Sequence, residues 1–275
     1  MAVLALTACA RRYRVAGMVI STDPATRTMI VSHREVPGYM PAMVMPFRVR
    51  ADRDLERLLP GDRVEFRLEV RRTGSVARDL RRSPADNTGV SADGQERFVI
   101  PVPAEKASPG DPAPDVELTD QAGRPVRLSE FAGRVVAINF LYTRCPLPEV
   151  CPRLAAGFAE LQRRFRERMG QDLVLVSVTL DPEHDTPEVL ARYAKIWRAD
   201  QQGWRFLTGP RERVRELAAR LGLVFWIEEG VIAHTSVTGV IGRDGRLAAL
   251  VEGLAYSTRQ LGDLVAHQVD KTEDR

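Results

Sequence analysis

The sequence predicts two domains: a small all-β barrel, then an α/β domain whose mixed sheet is covered by helices on both faces. Three observations carry this. Residues 13–80 read as short alternating strands broken by turn clusters, as in small barrels. Residues 81–109 shift to Ser, Pro, Asp, Gly and Gln with little periodicity, the composition of a linker. From residue 110 to 270 buried strands alternate with amphipathic helices. A chain of 275 residues is long enough for both units to bury a core.

Taken in order, residues 1–12 come first. MAVLALTAC is a short apolar run ending in Leu6-Thr7-Ala8-Cys9 and resembles the remnant of a bacterial lipoprotein signal, with Cys9 as the lipidated residue. Acylation there would tether an otherwise soluble protein to a membrane surface. The barrel strands are YRVAGMVIS, RTMIVSH, MPFRVR, RVEFRLEVRR and SVARDL, with turns at Asp23-Pro24 and Pro60-Gly61-Asp62. In the linker only Phe98-Val99-Ile100 is apolar enough to pin the chain. In the second domain RVVAINFLY and DLVLVSVTL are continuous apolar runs, as expected of strands buried on both faces. PRLAAGFAELQRRFRERM reads as an amphipathic helix, Thr186-Pro187 as the N-cap and first residue of another, and RERVRELAARLG as a third closed by Gly222. The strands LVFWI, SVTGVI and RLAALV follow, the last two joined by a turn at Asp244-Gly245, before a terminal helix over about 258–269.

Composition excludes some function classes. The net charge is only +3, three of the 40 basic residues are lysine, and the arginines are scattered along the chain, which argues against a nucleic-acid partner. No apolar run approaches the roughly 18 residues of a transmembrane helix.

Two of the three cysteines carry the chemistry. Cys145 and Cys151 lie between the buried strand RVVAINFLY and a helix, at the strand's carboxyl end where ligands gather in α/β sheets. Cys151 precedes Pro152 at the helix start, where the dipole favours a thiolate, so both sulfurs are expected to ionise. Five residues separate them, including Pro146 and Pro148, so the segment is a loop that closes either a disulfide or a metal site. A closed zinc site wants four ligands, and the chain offers too few; soft thiolates in low number suit Cu(I).

TRCPLPEVCP, VTLDPEHDTPEVL and IAHTSVTGVIGRDGRL, in that order, resemble the motifs of the Sco/SenC copper proteins over about residues 110–269. The resemblance implies a thioredoxin-like fold, with Cys145 and Cys151 as thiolate ligands, His234 as the imidazole ligand and Asp181 as an acidic residue near the site. The cysteine loop departs from the family, being two residues longer than the usual three. Thioredoxins place a cis-proline beside their active cysteines, and no proline follows Glu212, which favours metal handling over general disulfide chemistry. His184 is expected to be exposed, and His267 to sit at a helix end.

The first domain has its own soft cluster. SHREVPGYMPAMVMPF holds His33, Met40, Met43 and Met45, and Met43 and Met45 alternate along a strand, so they share a face. Thioether with imidazole selects Cu(I) or Ag(I), although methionine also fills small cores. Over about residues 16–70 the segment is similar to CusF-like periplasmic copper-binding domains, which implies an OB-like barrel with His33, Met43 and Met45 as ligands. Met40 stands where that family's best-known pattern has a capping Trp.

Together the resemblances imply a periplasmic or otherwise extracytoplasmic, lipid-anchored chaperone. It would bind copper, as Cu(I) or Cu(II), and deliver it during assembly of the copper centre of cytochrome c oxidase, with the copper-bearing subunit or another exported copper protein as partner. The alternative is a thiol-disulfide oxidoreductase in which Cys145 and Cys151 are catalytic.

Overall fold

The computed structural model describes residues 10–50, 54–72, 74–83, 106–228 and 231–271, and the chain divides into two compact units, residues 1–84 and 85–275. Cys9 lies outside the described residues, as does most of the linker.

The first unit is a five-stranded antiparallel sheet. Its strands are β1 (Arg11–Asp23), β2 (Thr28–His33), β3 (Met43–Arg48), β4 (Arg63–Arg71) and β5 (Gly74–Arg82), in the order β3-β2-β1-β4-β5. Alternation decides the faces: in RVEFRLEVR the side chains of Val64, Phe66 and Leu68 are buried while Glu65 and Arg67 are exposed. The buried face carries Val15, Val19, Met29, Val31, Phe47 and Phe66. A bulge between Val19 and Ser21 bends the long first strand, and a parallel bridge from Val49 to Ala77 brings the two sheet edges together.

The second unit has a seven-stranded mixed sheet. β6 (Leu118–Asp120) and β7 (Pro125–Val126) form an opening hairpin, followed by β8 (Val135–Leu141), α1 (Cys151–Arg164), β9 (Leu173–Thr179), α2 (Pro187–Ile196), β10 (Trp204–Thr208) and α3 (Arg211–Arg220). β11 (Phe225–Glu228), β12 (Val231–His234), β13 (Val237–Ile241), β14 (Leu247–Glu252) and α4 (Thr258–Val269) complete it. The order is β14-β13-β8-β9-β10-β6-β7, with β8, β9 and β10 parallel at the centre. Every side chain of β8 and β9 is buried, as their unbroken apolar runs require. α1 and α4 cover one face of β8, and α3 packs through Val214, Leu217 and Ala218 onto the other through Val136, Ile138 and Val176.

Local signals hold at the helix ends. Thr186 caps α2 by accepting from the Val189 amide, and Gly222, at a φ of 78°, ends α3 in the left-handed region. Two features differ from the sequence reading. Ala107 sits in the core of the second unit and its amide bonds the Arg220 carbonyl, so this stretch belongs to the α/β core. LVFWI does not join the main sheet: β11 pairs with β12 in a separate hairpin, and His234 is the last residue of β12.

Candidate metal centre

The carboxyl ends of β8 and β9 fix the approach to the cysteines. Asp185, fully buried, accepts from the Thr143 amide at 3.0 Å, the Thr143 hydroxyl at 2.5 Å and the Thr179 hydroxyl at 2.5 Å. Next to it Asp181 takes two bonds from Arg144, Nε at 3.1 Å and Nη2 at 2.6 Å. Two carboxylates thus pin the two residues that precede Cys145, which sets where the loop begins.

At the far end of that loop Cys151 is the first residue of α1 and wholly buried, against Leu141, Leu154 and Ala155. Cys145 is half-buried, its Sγ 3.7 Å from the Leu147 carbonyl, and both thiols are free. Their ionisation is unequal. The Cys151 thiol donates a hydrogen bond to Cys145, which lowers the Cys145 pKa to about 6. The same bond, with burial, pushes the Cys151 thiol well above its usual range. This corrects the expectation that both sulfurs ionise: the helix start favours a thiolate, but desolvation and the bond to its neighbour keep Cys151 protonated without metal.

His234 comes to this pair from β12. Its Nδ1 donates to the Thr235 carbonyl at 2.7 Å, which puts the lone pair on Nε2, and Nε2 stands 3.8 Å from Cys151 Sγ. Burial lowers the His234 pKa, so the imidazole is held neutral, the form that ligates. The Tyr142 ring lies edge-on to it, centroids 6.2 Å apart, and Tyr193 of α2 and Trp197 just beyond that helix pack against the same apolar wall.

These donors fit a soft metal. The 3.8 Å between sulfur and nitrogen is a gap one ion spans with bonds of roughly 2.3 and 2.0 Å, the lengths that thiolate and imidazole make to zinc. Among the described residues no three His, Cys, Asp or Glu side chains already form a complete ligand set. Cys151 and His234 are therefore brought together in place, and Cys145 joins them through its contact with Cys151. Asp181 is engaged by Arg144, His184 is exposed, and His267 lies half-buried in the last turn of α4. Sequence reasoning missed Asp185 and Arg144. The signal was available in DPEHDTP, whose second aspartate follows the first by four positions.

In the first unit His33 is fully buried at the end of β2, and its Nδ1 donates to the Arg34 carbonyl at 2.6 Å. Met43 is the cross-strand partner of His33, and Met45 that of Val31. Directly opposed residues share a face with Cβ atoms about 5 Å apart, so His33 and Met43 are neighbours on the face that carries Phe47. Met43 remains 40% exposed, which leaves its thioether open to solvent above a buried imidazole. Met40 packs partly against the core from a turn bridged to Val36. On the other side of His33 stands Gly17, where a Cβ would meet Val31 Cγ1 at 2.5 Å, the Ser32 carbonyl oxygen at 2.7 Å and His33 Cα at 2.9 Å.

Comparison with known proteins agrees with both halves. The family model described as SCO1/SenC matches residues 105–269, more than half of the chain. The chain belongs to the SCO1/SenC family. The model described as copper binding periplasmic protein CusF matches residues 12–82 of this Sco-family chain. A Stutzerimonas stutzeri protein named for copper binding is 32% identical over 154 residues, covering 54% of this chain and 71% of its own. The SCO1 protein homolog of Bacillus subtilis is 29% identical over 132 residues, covering 46% and 67%. The mitochondrial SCO1 homolog of Mus musculus is 27% identical, and the match spans 54% of each chain. Among solved structures, a SCO1/SenC family lipoprotein from Bacillus anthracis superposes with a TM-score of 0.52 at 23% identity, covering 58% of this chain and 95% of that one. BsSco, described as a member of the Sco family of cytochrome c oxidase assembly proteins, gives 0.52 at 23%, covering 61% and 99%. The second unit thus has the thioredoxin-like fold of the Sco proteins, the first is CusF-like, and copper is the metal of the matched families. Among the described residues no helix is long and apolar enough to cross a membrane.

Proposed function

We propose that this Sco-family chain is an extracytoplasmic copper chaperone that holds one Cu(I) between Cys145, Cys151 and His234 and delivers it during assembly of the copper centre of cytochrome c oxidase. The observation that carries this reading is the 3.8 Å approach of a neutral imidazole to a buried thiol that itself contacts a second, accessible thiol. Cu(I) is cargo here and moves by ligand exchange, so no electron need be transferred. Binding displaces the Cys151 proton, and Cys145, at the open end, is the ligand an acceptor reaches first. The relatives' names support the direction of the reading: copper binding for one, oxidase assembly for another.

His33, Met43 and Met45 form a second, all-neutral Cu(I) site in this proposal, one that captures the ion and passes it to the thiolate site. A tether between the units keeps the two sites at a high effective concentration. Cys9, as a lipidated residue, would hold the chain at the outer face of a membrane.

A second reading is favoured by the asymmetry of the thiols. An accessible Cys145 of low pKa beside a buried Cys151 is also the arrangement of an attacking and a resolving cysteine, as in a thiol-disulfide oxidoreductase. Anaerobic Cu(I) titration against a competing chelator separates the two. The chaperone binds two equivalents, one of them lost in Cys145→Ala or Cys151→Ala. Rapid disulfide turnover with no tight equivalent at the cysteines would replace it by the oxidoreductase.

A further inference from the structure

The sequence scatters its arginines, but the fold gathers them. Residues 10–83 contain 16 arginines and no lysine against nine acidic residues, a net charge of +7, whereas residues 106–271 balance at 22 basic and 22 acidic. On β1, β4 and β5 the side chains that face away from the core include Arg12, Arg14, Arg67, Arg71, Arg78 and Arg81.

Register makes this a surface and not merely a composition. Arg14 lies opposite Arg67, and Arg67 opposite Arg78, so three guanidinium side chains form one row across three strands. Like charges directly opposed cost stability in a sheet, and the protein offsets only part of this. Arg67 pairs with Asp79 at 2.9 Å, and Glu69 holds Arg71 and Arg78. Among the described residues Arg14 and Arg81 make no ion pair. Beside the row is an open cleft of about 570 Å³ over Ala16, lined by Arg14, Arg34, Arg67 and Arg81 together with Glu35, Glu65 and Asp79.

We propose that this arginine face docks on an anionic phospholipid bilayer, with headgroup phosphates taken by Arg14, Arg81 and their neighbours. Two observations choose a bilayer among polyanions. The strand that carries Arg12 and Arg14 begins two positions after Cys9, the proposed lipidation site, so a membrane anchor and a basic face would be adjacent in the chain, a step that rests on that proposed anchor. No aromatic side chain stands among the outward residues of the face, so it lacks the stacking platform of a single-strand nucleic-acid binder. Docking would hold the first unit flat against the membrane, whether or not Cys9 is acylated.

The test uses the whole chain with Cys9→Ser, so that no acyl chain contributes, in a flotation assay. The expected result is flotation with vesicles of phosphatidylcholine plus one-third phosphatidylglycerol, declining as salt is raised, and none with phosphatidylcholine alone. The double variant Arg14→Gln/Arg81→Gln should weaken partitioning about 25-fold, roughly fivefold per arginine. The control pair Arg166→Gln/Arg192→Gln, exposed on the second unit, should leave it unchanged. Unchanged melting and copper stoichiometry would show the double variant to be folded. Equal flotation with neutral vesicles, an equal loss in the control pair, or displacement from vesicles by a stoichiometric DNA oligonucleotide would each overturn the proposal.

Discussion

Cys151 Sγ and His234 Nε2 stand 3.8 Å apart although 83 positions separate them in the chain. Neither can reach the other without the fold: Cys151 is fixed by the first turn of α1, and His234 by the hairpin β11–β12 and its bond to the Thr235 carbonyl. A nitrogen so fixed adds to a metal bond with little ordering cost, whereas an acyclic side chain searching for its ion would pay it on binding. His234→Ala is expected to weaken Cu(I) binding at the cysteines by more than tenfold, the loss that even an outer-shell partner can cause, without abolishing it. Competition against a Cu(I) chelator measures this, and an unchanged affinity would remove His234 from the ligand set.

Cys145 should react as a thiolate well below the pH at which ordinary thiols do. Its pKa of about 6 follows from the hydrogen bond donated by Cys151, so alkylation of the metal-free protein should rise through pH 6 and level off near neutrality. Cys151 is buried and held protonated, and should react far more slowly. In Cys151→Ala the donor is gone and the inflection for Cys145 should move up toward the ordinary thiol value of about 8.5. Mass spectrometry of iodoacetamide-treated protein across pH resolves the two sites, and faster labelling of Cys151 would contradict the hydrogen-bond assignment.

Asp185 is expected to hold the cysteine loop in register. Its carboxylate is fully buried and is the acceptor for three donors, two of them from the half-buried Thr143 and one from the buried Thr179. Asp185→Ala strands those donors and should cost about 2 to 4 kcal/mol, at one to three for each group left unpaired with partial relaxation. Chemical denaturation gives the stability, and the alkylation rate of Cys151 in the folded variant reports the loop. A stable variant with Cys151 still protected would show that the loop is held some other way.

Which parts were legible follows from where the information sits. β8, β9 and α1 could be read because an unbroken apolar run and an amphipathic repeat are local signals, and the cysteine pair announced itself between them. β6, β7 and β12 are two to four residues long, too short to show a period, and their existence depends on partners distant in sequence. The unequal thiols were illegible for a different reason: the dipole at the start of α1 is a local property, but the burial of Cys151 and its bond to Cys145 are tertiary ones. Likewise the row Arg14–Arg67–Arg78 exists only once two register pairings are known.

Gly17 offers the sharpest test of the first unit. Its row runs from Gly17 through His33 to Met43, so the missing side chain lies beside the imidazole on one side as the thioether does on the other. An added Cβ would come within 2.7 Å of the Ser32 carbonyl oxygen and 2.9 Å of His33 Cα, backbone atoms that cannot turn aside, so β1 and β2 must separate. Overpacking of this kind costs about 1 to 3 kcal/mol, and the displacement falls on the backbone that carries His33. In a Cys145→Ala/Cys151→Ala background, where only the first unit can bind tightly, Gly17→Ala should therefore lower both the melting temperature of that unit and its Cu(I) affinity. In the otherwise wild-type chain the equivalent at Cys145, Cys151 and His234 should persist. Full Cu(I) affinity in the destabilised variant would mean that His33 and Met43 are core residues and that the first unit binds its copper elsewhere.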